Sequence, residues 1–401
     1  MRTVLLKLVL AIATIVAVGY GFPLVKKDTV DAAGLFDTSI DAGWQAFWGE
    51  NQKGWNSNDP GCGSSFSYAS LWDLAVASRV VTMLNNNHRV DLVAEGLLKY
   101  KNSEGWYSAT TNKDNDCYVD DNSQVVWVFL EAYKKTNNND YLSSATDLMD
   151  LIRGQWVSNG GGVRWSVDGD YLASISTAEA ALAAVRVFEV NTDWSLVAFA
   201  LECVSWLLDN LQDPSDHLLY DGKQLPSGEV NDGKLTYSVG TTISTLVYLA
   251  KFTGSSLWVK IAVQLGKAAT DSSGAFYSST GYWNNQLCYV QLLFGGLSDL
   301  VTLGLQLPSG VNATFTSELK KQATYIADYL EVPSDPGFYV SNVFSSSKQM
   351  YSKYTSQFAS SESYSPDLSA FCNGNVNGKI KRSLMDTMSA SQIFYDVSQL
   401  L

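Results

Sequence analysis

Two adjacent carboxylates, Asp120 and Asp121, are the residues of this chain best suited to acid–base chemistry. They stand directly before a run of apolar residues, 125–130, that predicts a buried helix. In a strand the two side chains would point to opposite faces, whereas in a loop that turns into a helix both can face one cavity. Two carboxyl groups about 5 to 5.5 Å apart are the arrangement used for retaining glycoside hydrolysis. This pair is therefore the first candidate catalytic site.

A structural role for the same residues is the competing interpretation. Asp121 and Gln124 have the spacing of a capping box, in which Asp121 caps the helix and Gln124 reaches back to it. Capping explains Asp121 but gives Asp120 no role. On this motif alone the cap is favoured, because carboxylates at helix N-termini are common. A second capping box, Ser176 to Glu179, predicts a structural role for Glu179.

Other catalytic and metal-binding chemistries find little support in the sequence. The only histidines, His88 and His217, have no Ser/His/Asp or metal-ligand spacing. The five cysteines are widely scattered without a Cys-x-x-Cys pair, which argues against zinc. One or two disulfides are expected, with pairing left open and at least one thiol free, and Cys203 is the natural buried candidate. The segment 114–125 lacks the EF-hand pattern of a calcium loop.

Charge and aromatic content narrow the class of partner. The formal net charge of -13 disfavours nucleic acid and anionic membrane surfaces, which would be repelled. Neutral glycans remain compatible, and the 12 tryptophans and 21 tyrosines offer flat faces on which sugar rings can stack. We therefore expect a polysaccharide partner and a protein that acts as a monomer.

The N-terminus predicts a secretory signal peptide at residues 1–21. Arg2 and Lys7 precede an apolar run, 8–18, that ends in small residues. The run is shorter than the roughly 20 apolar residues of a membrane span, and no stable membrane anchor is expected. The expected product is secreted, extracellular or associated with a cell wall, and Asn312 begins a lone glycosylation sequon.

The remaining chain, 22–401, is predicted to be a single all-α domain. Apolar residues recur at helical spacing in twelve segments, and helices that are apolar all round alternate with helices that carry one polar face. This alternation predicts an (α/α)6 toroid of about six helical hairpins, with an inner and an outer ring and the site on loops at one rim. The predicted helices lie near residues 39–48, 68–84, 89–102, 122–135, 140–156, 175–190, 193–210, 237–252, 256–269, 285–303, 314–331 and 345–360.

Several motifs between about Trp72 and Leu330 together resemble glycoside hydrolase family 76, the α-1,6-mannanases and their fungal cell-wall relatives. The resemblance implies an (α/α)6 toroid and a retaining mechanism, with no metal or cofactor. It implies Asp120 as the nucleophile and Asp121 as the acid and base, and it assigns Trp165, Asp221, Tyr237 and Trp127 to sugar binding. The motifs are Tyr118 to Asn122 followed by Trp127 and Glu131 to Tyr133, then 160–166, 175–179, 220–222 and 235–240.

The chain also departs from the family pattern. Gln124 and Val125 stand where the family usually has aromatic residues, and Val239 replaces a glutamine. These changes alter the expected cleft walls more than the paired carboxylates. The leading hypothesis is a secreted endo-acting hydrolase of α-1,6-mannan or a related fungal cell-wall polysaccharide. A cell-wall transglycosidase of the same family and a catalytically silent glycan-binding protein are the alternatives.

Overall fold

The computed structural model describes residues 30–360 and 362–400. The predicted signal peptide lies outside these residues. Of the helices in the described ranges, none combines the length and the apolar character that a bilayer span requires. The thirteen α-helices of these ranges are α1 Ala32–Phe47, α2 Leu71–Thr82, α3 Asn87–Leu97, α4 Val119–Thr136, α5 Asn139–Arg153, α6 Ser174–Asn191, α7 Trp194–Asn210, α8 Thr236–Thr253, α9 Ser256–Ala269, α10 Leu287–Thr302, α11 Val311–Tyr325, α12 Lys348–Thr355 and α13 Leu384–Ser398.

Six of these helices form a closed inner ring. Helices α2, α4, α6, α8 and α10 pack each against the next, and α13 closes the ring by packing against both α10 and α2. Helices α1, α3, α5, α7, α9 and α11 lie outside this ring and pack against its members. The predicted helical toroid is therefore confirmed, and helices near the two ends of the described chain, α1 and α13, pack together.

Among the α-helices of the described residues, α13 is the one that the sequence did not predict. Its ring-facing side chains are polar as well as apolar, and Thr387, Ser389 and Gln392 are buried. Ser391 lies on the same buried face, and its hydroxyl bonds the Ser39 hydroxyl of α1 at 2.7 Å. A helix whose buried face carries hydroxyl and amide groups has no clear apolar period, so the sequence pattern does not indicate it.

Glycines set the spacing between two inner helices. A Cβ atom on Gly240 of α8 would lie 2.2 Å from the Leu292 carbonyl oxygen of α10. A Cβ atom on Gly296 of α10 would lie 2.1 Å from the Gly240 carbonyl oxygen. The two backbones therefore pack in direct contact, and only glycine fits at either position.

Short strands and one disulfide secure the loops. Strands β1 (Trp48–Gly49) and β2 (Gly54–Trp55) form one antiparallel pair. Strand β3 (Tyr171–Ala173) pairs with β4 (Gly222–Gln224), which pairs with β5 (Val230–Asn231). Cys62 and Cys372 form a disulfide across 310 residues of sequence. In the described part of the chain the other cysteines are free and buried, Cys203 among them as predicted.

Candidate active site

The carboxylate pair lies in the first turn of α4, at the end of the ring where the inner helices begin. The helix starts at Val119, and among the described residues no side chain caps it. Instead, the Val119 backbone N–H donates to the Trp165 carbonyl oxygen at 2.8 Å. Asp120 and Asp121 are thus already helical, so the predicted capping box is wrong: the helix begins before Asp121. The positive end of the α4 dipole favours negative charge at this position.

The two carboxyl groups have different surroundings. Asp120 Oδ1 accepts from the Asp121 backbone N–H, and Asp120 Oδ2 accepts from the Trp165 indole N–H, both at 3.1 Å. Burial raises the pKa of Asp120 to about 6, although these hydrogen bonds oppose the rise. Burial and then the charge of Asp120 hold the pKa of Asp121 well above its usual range. The surroundings therefore favour the ionised form of Asp120 more than that of Asp121, the separation of roles that a nucleophile and an acid require.

Beneath the dyad lies a buried amide and carboxyl pair. The Gln124 side-chain amide donates to Glu179 Oε1 at 3.0 Å, and Glu179 has no exposed surface. Burial, followed by the charge of Asp120, raises the pKa of Glu179 well above its usual range. The second predicted capping box is also wrong, because α6 begins at Ser174 and Glu179 lies within the ring.

A loop from 155 to 173 places Trp165 over the dyad. The Trp165 side chain is 43% exposed, and its ring contacts Tyr118 with centroids 4.9 Å apart. The glycine-rich part of the loop passes Trp206, whose indole N–H donates to the Gly160 carbonyl oxygen at 2.8 Å. Gly162 has a φ of +86°, and a Cβ there would lie 2.6 Å from the Trp206 ring. The glycines therefore let the loop fold closely against α7 and present Trp165 to solvent.

Asp221 lies on the same side of the dyad. Its Oδ2 accepts from the Tyr171 hydroxyl at 2.5 Å and from the Asn231 side-chain amide at 2.9 Å. Its backbone carbonyl accepts from the Ser174 N–H at the start of α6. The charge of Asp221 contributes to the raised pKa of Asp120, so the two carboxylates are close enough to interact.

Three aromatic residues form a second wall at the same end of the ring. Tyr237 lies in the first turn of α8, Tyr289 in the first turn of α10, and Trp72 in the first turn of α2. The Tyr237 and Tyr289 rings meet edge to face with centroids 5.0 Å apart, and Tyr289 stacks against Trp72 at 5.9 Å. All three remain partly exposed and can offer a ring face or edge to a ligand.

A known protein family matches most of the chain. The model described as glycosyl hydrolase family 76 matches residues 36–371. The chain belongs to glycosyl hydrolase family 76. The match is longer at both ends than the resemblance read from the motifs, and it adds most of α1 and the whole of α12.

This family 76 chain is similar to one protein in sequence and to two solved structures in fold. The meiotically up-regulated gene 191 protein of Schizosaccharomyces pombe is 28% identical over 285 residues, which are 63% of this chain and 63% of that protein. The GH76A α-1,6-mannanase of Salegentibacter sp. has a TM-score of 0.71 and 17% identity, with 92% of this chain and 100% of that chain covered. Dfg5 from Chaetomium thermophilum, in complex with glucosamine, has a TM-score of 0.66 and 12% identity, with 93% and 91% covered. At these identities the two solved structures show the shared fold.

Trp127 does not take part in the site. The resemblance assigned it to sugar binding, but its side chain is fully buried within the ring. The Arg79 guanidinium lies 4.9 Å from its ring centroid and that of Arg186 lies 6.0 Å away. Trp127 is thus a core residue of this family 76 protein, because its place near the middle of α4 is below the surface that a sugar can reach.

Sequence reasoning missed several residues that the fold brings to the dyad. Tyr171 and Asn231 come from loop strands, and Glu179 was interpreted as a cap. A usable signal existed for Trp72 and Tyr289: each lies in the first turn of an inner helix, the same relative position as Asp120 in α4. In a ring of parallel inner helices, first-turn residues meet at one rim.

Proposed function

We propose that this family 76 protein is a retaining endo-α-1,6-mannanase. The observation that carries the proposal is the adjacent carboxyl pair beneath the exposed Trp165, in which the Trp165 indole N–H donates to Asp120 Oδ2 at 3.1 Å while burial and the charge of Asp120 raise the pKa of Asp121. Adjacent carboxyl groups with separated proton affinities are what retaining glycoside hydrolysis requires.

The proposed reaction has two steps. Asp120 Oδ attacks the anomeric carbon and forms a glycosyl ester while the glycosidic bond breaks, and Asp121 gives its proton to the departing oxygen. Asp121 then takes a proton from water, whose oxygen attacks the same carbon and releases Asp120. The Trp165 indole N–H holds Asp120 in its ionised form, and Asp221, Trp165 and Tyr237 contact the sugar.

The substrate assignment draws on the Salegentibacter mannanase. An inactive variant of that enzyme, with two consecutive aspartates replaced by asparagine, was solved in complex with α-1,6-mannotriose. Asp120 and Asp121 are the consecutive aspartates of this chain at the start of an inner helix. The exposed aromatic rings suit a neutral polysaccharide, and the net charge of -13 disfavours an anionic one.

The test is hydrolysis of a panel of defined α-mannans and other wall polysaccharides by the wild type and by Asp120→Asn and Asp121→Asn. Each substitution is expected to lower kcat/KM by roughly 10²- to 10⁴-fold or more. Asp114→Asn is the matched control, because Asp114 is an exposed carboxylate on the preceding loop. Activity equal to that of the wild type in both Asp120→Asn and Asp121→Asn contradicts the proposal.

Transglycosylation is the second candidate, and the aromatic wall of Tyr237, Tyr289 and Trp72 favours it. That wall can hold an acceptor sugar while the glycosyl ester awaits attack. Mass spectrometry with and without an added oligosaccharide acceptor separates the two reactions, since a transglycosidase extends the acceptor. Binding of mannan without any new product identifies a silent glycan-binding protein instead.

We also propose that the protein acts outside the cell. The predicted signal peptide and the Cys62–Cys372 disulfide both support an oxidising compartment. Expression of the full chain in a fungal host, followed by N-terminal sequencing of protein from the medium, tests this. A mature N-terminus near Tyr20 or Phe22 is expected, and retention of the unprocessed chain in the cell contradicts it.

A further inference from the structure

Gln124 and Glu179 form a buried pair directly below the carboxylate dyad. Gln124 follows Asp120 by four residues and Asp121 by three, so all three side chains share one face of α4. Gln124 is 3% exposed and Glu179 is 0% exposed. The Cβ atom of Gln124 therefore lies about 5 to 6 Å from the Cβ atoms of both members of the dyad, but the Gln124 amide donates its hydrogen bond to Glu179 on α6.

The Gln124 and Glu179 side chains are hydrogen-bonded to each other on one side only. Among the described residues, neither Gln124 Oε1 nor Glu179 Oε2 has a hydrogen-bond partner. Both are acceptors, so a proton on Glu179 Oε2 gives the other side a donor. Burial and the charge of Asp120 favour that protonated form. A neutral Glu179 also keeps a third negative charge away from the dyad.

Without its hydrogen bond to Glu179, the Gln124 amide would be free to donate a hydrogen bond to a carboxylate of the dyad. Glutamine and aspartate one turn apart on a helix form hydrogen bonds readily. An N–H donated to a carboxylate favours its ionised form and lowers its pKa. Asp121 needs its proton to act as an acid, so a freed Gln124 amide would weaken it at neutral pH.

We propose that Glu179 is a positioning residue that holds the Gln124 amide away from Asp120 and Asp121. The effect on the dyad passes through Gln124, and Glu179 touches no reacting atom. The inference rests on the proposed function only in treating the dyad as catalytic. The charged groups around the dyad and Glu179 are Asp73 and Arg79 from α2, Asp116 from the preceding loop, Asp221 from the rim and the dyad itself.

The test measures the dyad directly by NMR titration of protein labelled with ¹³C at aspartate carboxyl carbons, with Asp120→Asn and Asp121→Asn for assignment. Glu179→Met keeps the length of the side chain without its oxygens. It is expected to lower the midpoint of Asp121 by about one pH unit, the scale of one hydrogen bond to a charged group. Gln124→Leu combined with Glu179→Met removes the amide as well and should return the midpoint to the wild-type value.

Two outcomes overturn the proposal. An unshifted Asp121 midpoint in Glu179→Met means that Glu179 only fills space, and a shift that persists in the double variant means that it does not act through Gln124. If Glu179→Met does not fold, Glu179→Gln still decides: it keeps an acceptor for Gln124, so a midpoint moved by more than about half a unit contradicts the mechanism. The titration needs no substrate, so wild type inactive on every glycan refutes the proposed function separately.

Discussion

Replacing Trp165 by phenylalanine isolates the hydrogen bond between the indole and the proposed nucleophile. The Trp165 N–H donates to Asp120 Oδ2 at 3.1 Å, and a phenyl ring retains an aromatic face without that donor. The bond favours the ionised carboxylate, so its loss raises the pKa of Asp120. Since the ionised form is the active one, the acid limb of the kcat/KM profile is expected to move to higher pH.

The size of this shift follows from the exposure of Trp165. A hydrogen bond to a charged group contributes about 1.5 to 3 kcal/mol when it cannot be replaced. Trp165 is 43% exposed, so water reaches the site and we discount the value to about 1 kcal/mol. At 1.36 kcal/mol per unit, this is about 0.7 of a pKa unit. The pKa of Asp120, about 6 in the wild type, should rise by this amount. At pH values well below this pKa, kcat/KM should fall about fivefold.

The assay is release of reducing sugar from α-1,6-mannan as a function of pH. Loss of sugar stacking in Trp165→Phe lowers kcat/KM equally at all pH values, whereas loss of the hydrogen bond moves the limb. Tyr118→Phe is the control, because its ring packs on Trp165 at 4.9 Å and removal of its hydroxyl leaves the Asp120 hydrogen bonds in place. A limb that stays in place in Trp165→Phe, or moves to lower pH, refutes the argument.

Three further predictions concern stability. Folding raises the pKa of Asp121, so the stability that this residue contributes is fully present below its unfolded pKa of about 3.9 and is lost as pH rises towards the folded pKa. The Asp121→Asn variant should therefore melt at a higher temperature than the wild type at pH 7, and the difference should vanish near pH 3. Gly240→Ala places a Cβ 2.2 Å from a carbonyl oxygen of α10 and should lower the free energy of unfolding, measured by urea titration, by more than about 3 kcal/mol. Gly96→Ala in α3 is the control: the nearest atom to its new Cβ lies 3.5 Å away, so the free energy of unfolding should not fall. Arg382→Met removes the partner of Asp59, which is 0% exposed, and should cost about 3 to 5 kcal/mol by the same measurement; a loss below about 1 kcal/mol would mean that water replaces the guanidinium.

The helical periodicity of the sequence predicted most of the ring. Helix α9 runs from Ser256 to Ala269, the range predicted, and α7 begins at Trp194, one residue after its predicted start. Both helices carry one polar and one apolar face, so their local patterns are clear. Helix α13 was missed because its buried face includes the polar side chains of Ser391 and Gln392, which interrupt the apolar period; the Ser391 hydroxyl bonds Ser39, which lies far away in the sequence.

The site was only partly predictable. Motif resemblance identified Asp120, Trp165 and Asp221, and the structure brings these three side chains together. It also assigned Trp127 to the cleft, where the ring buries it instead. Glu179 had the spacing of a cap, and only the packing of α6 against α4 placed it under the dyad.

By itself, the sequence determined the class of fold and the presence of two adjacent carboxylates at the start of an inner helix, because helical period and residue order are local properties. Tertiary structure decided how those carboxylates differ. Trp165 comes from 45 residues downstream to hydrogen-bond Asp120 alone, and burial, followed by the charge of Asp120, raises the pKa of Asp121. The pairing of Cys62 with Cys372 was likewise settled by distance in space, across 310 residues of chain. Proton affinity and disulfide pairing depend on which groups lie within a few ångströms, and that information arises only when the ring closes.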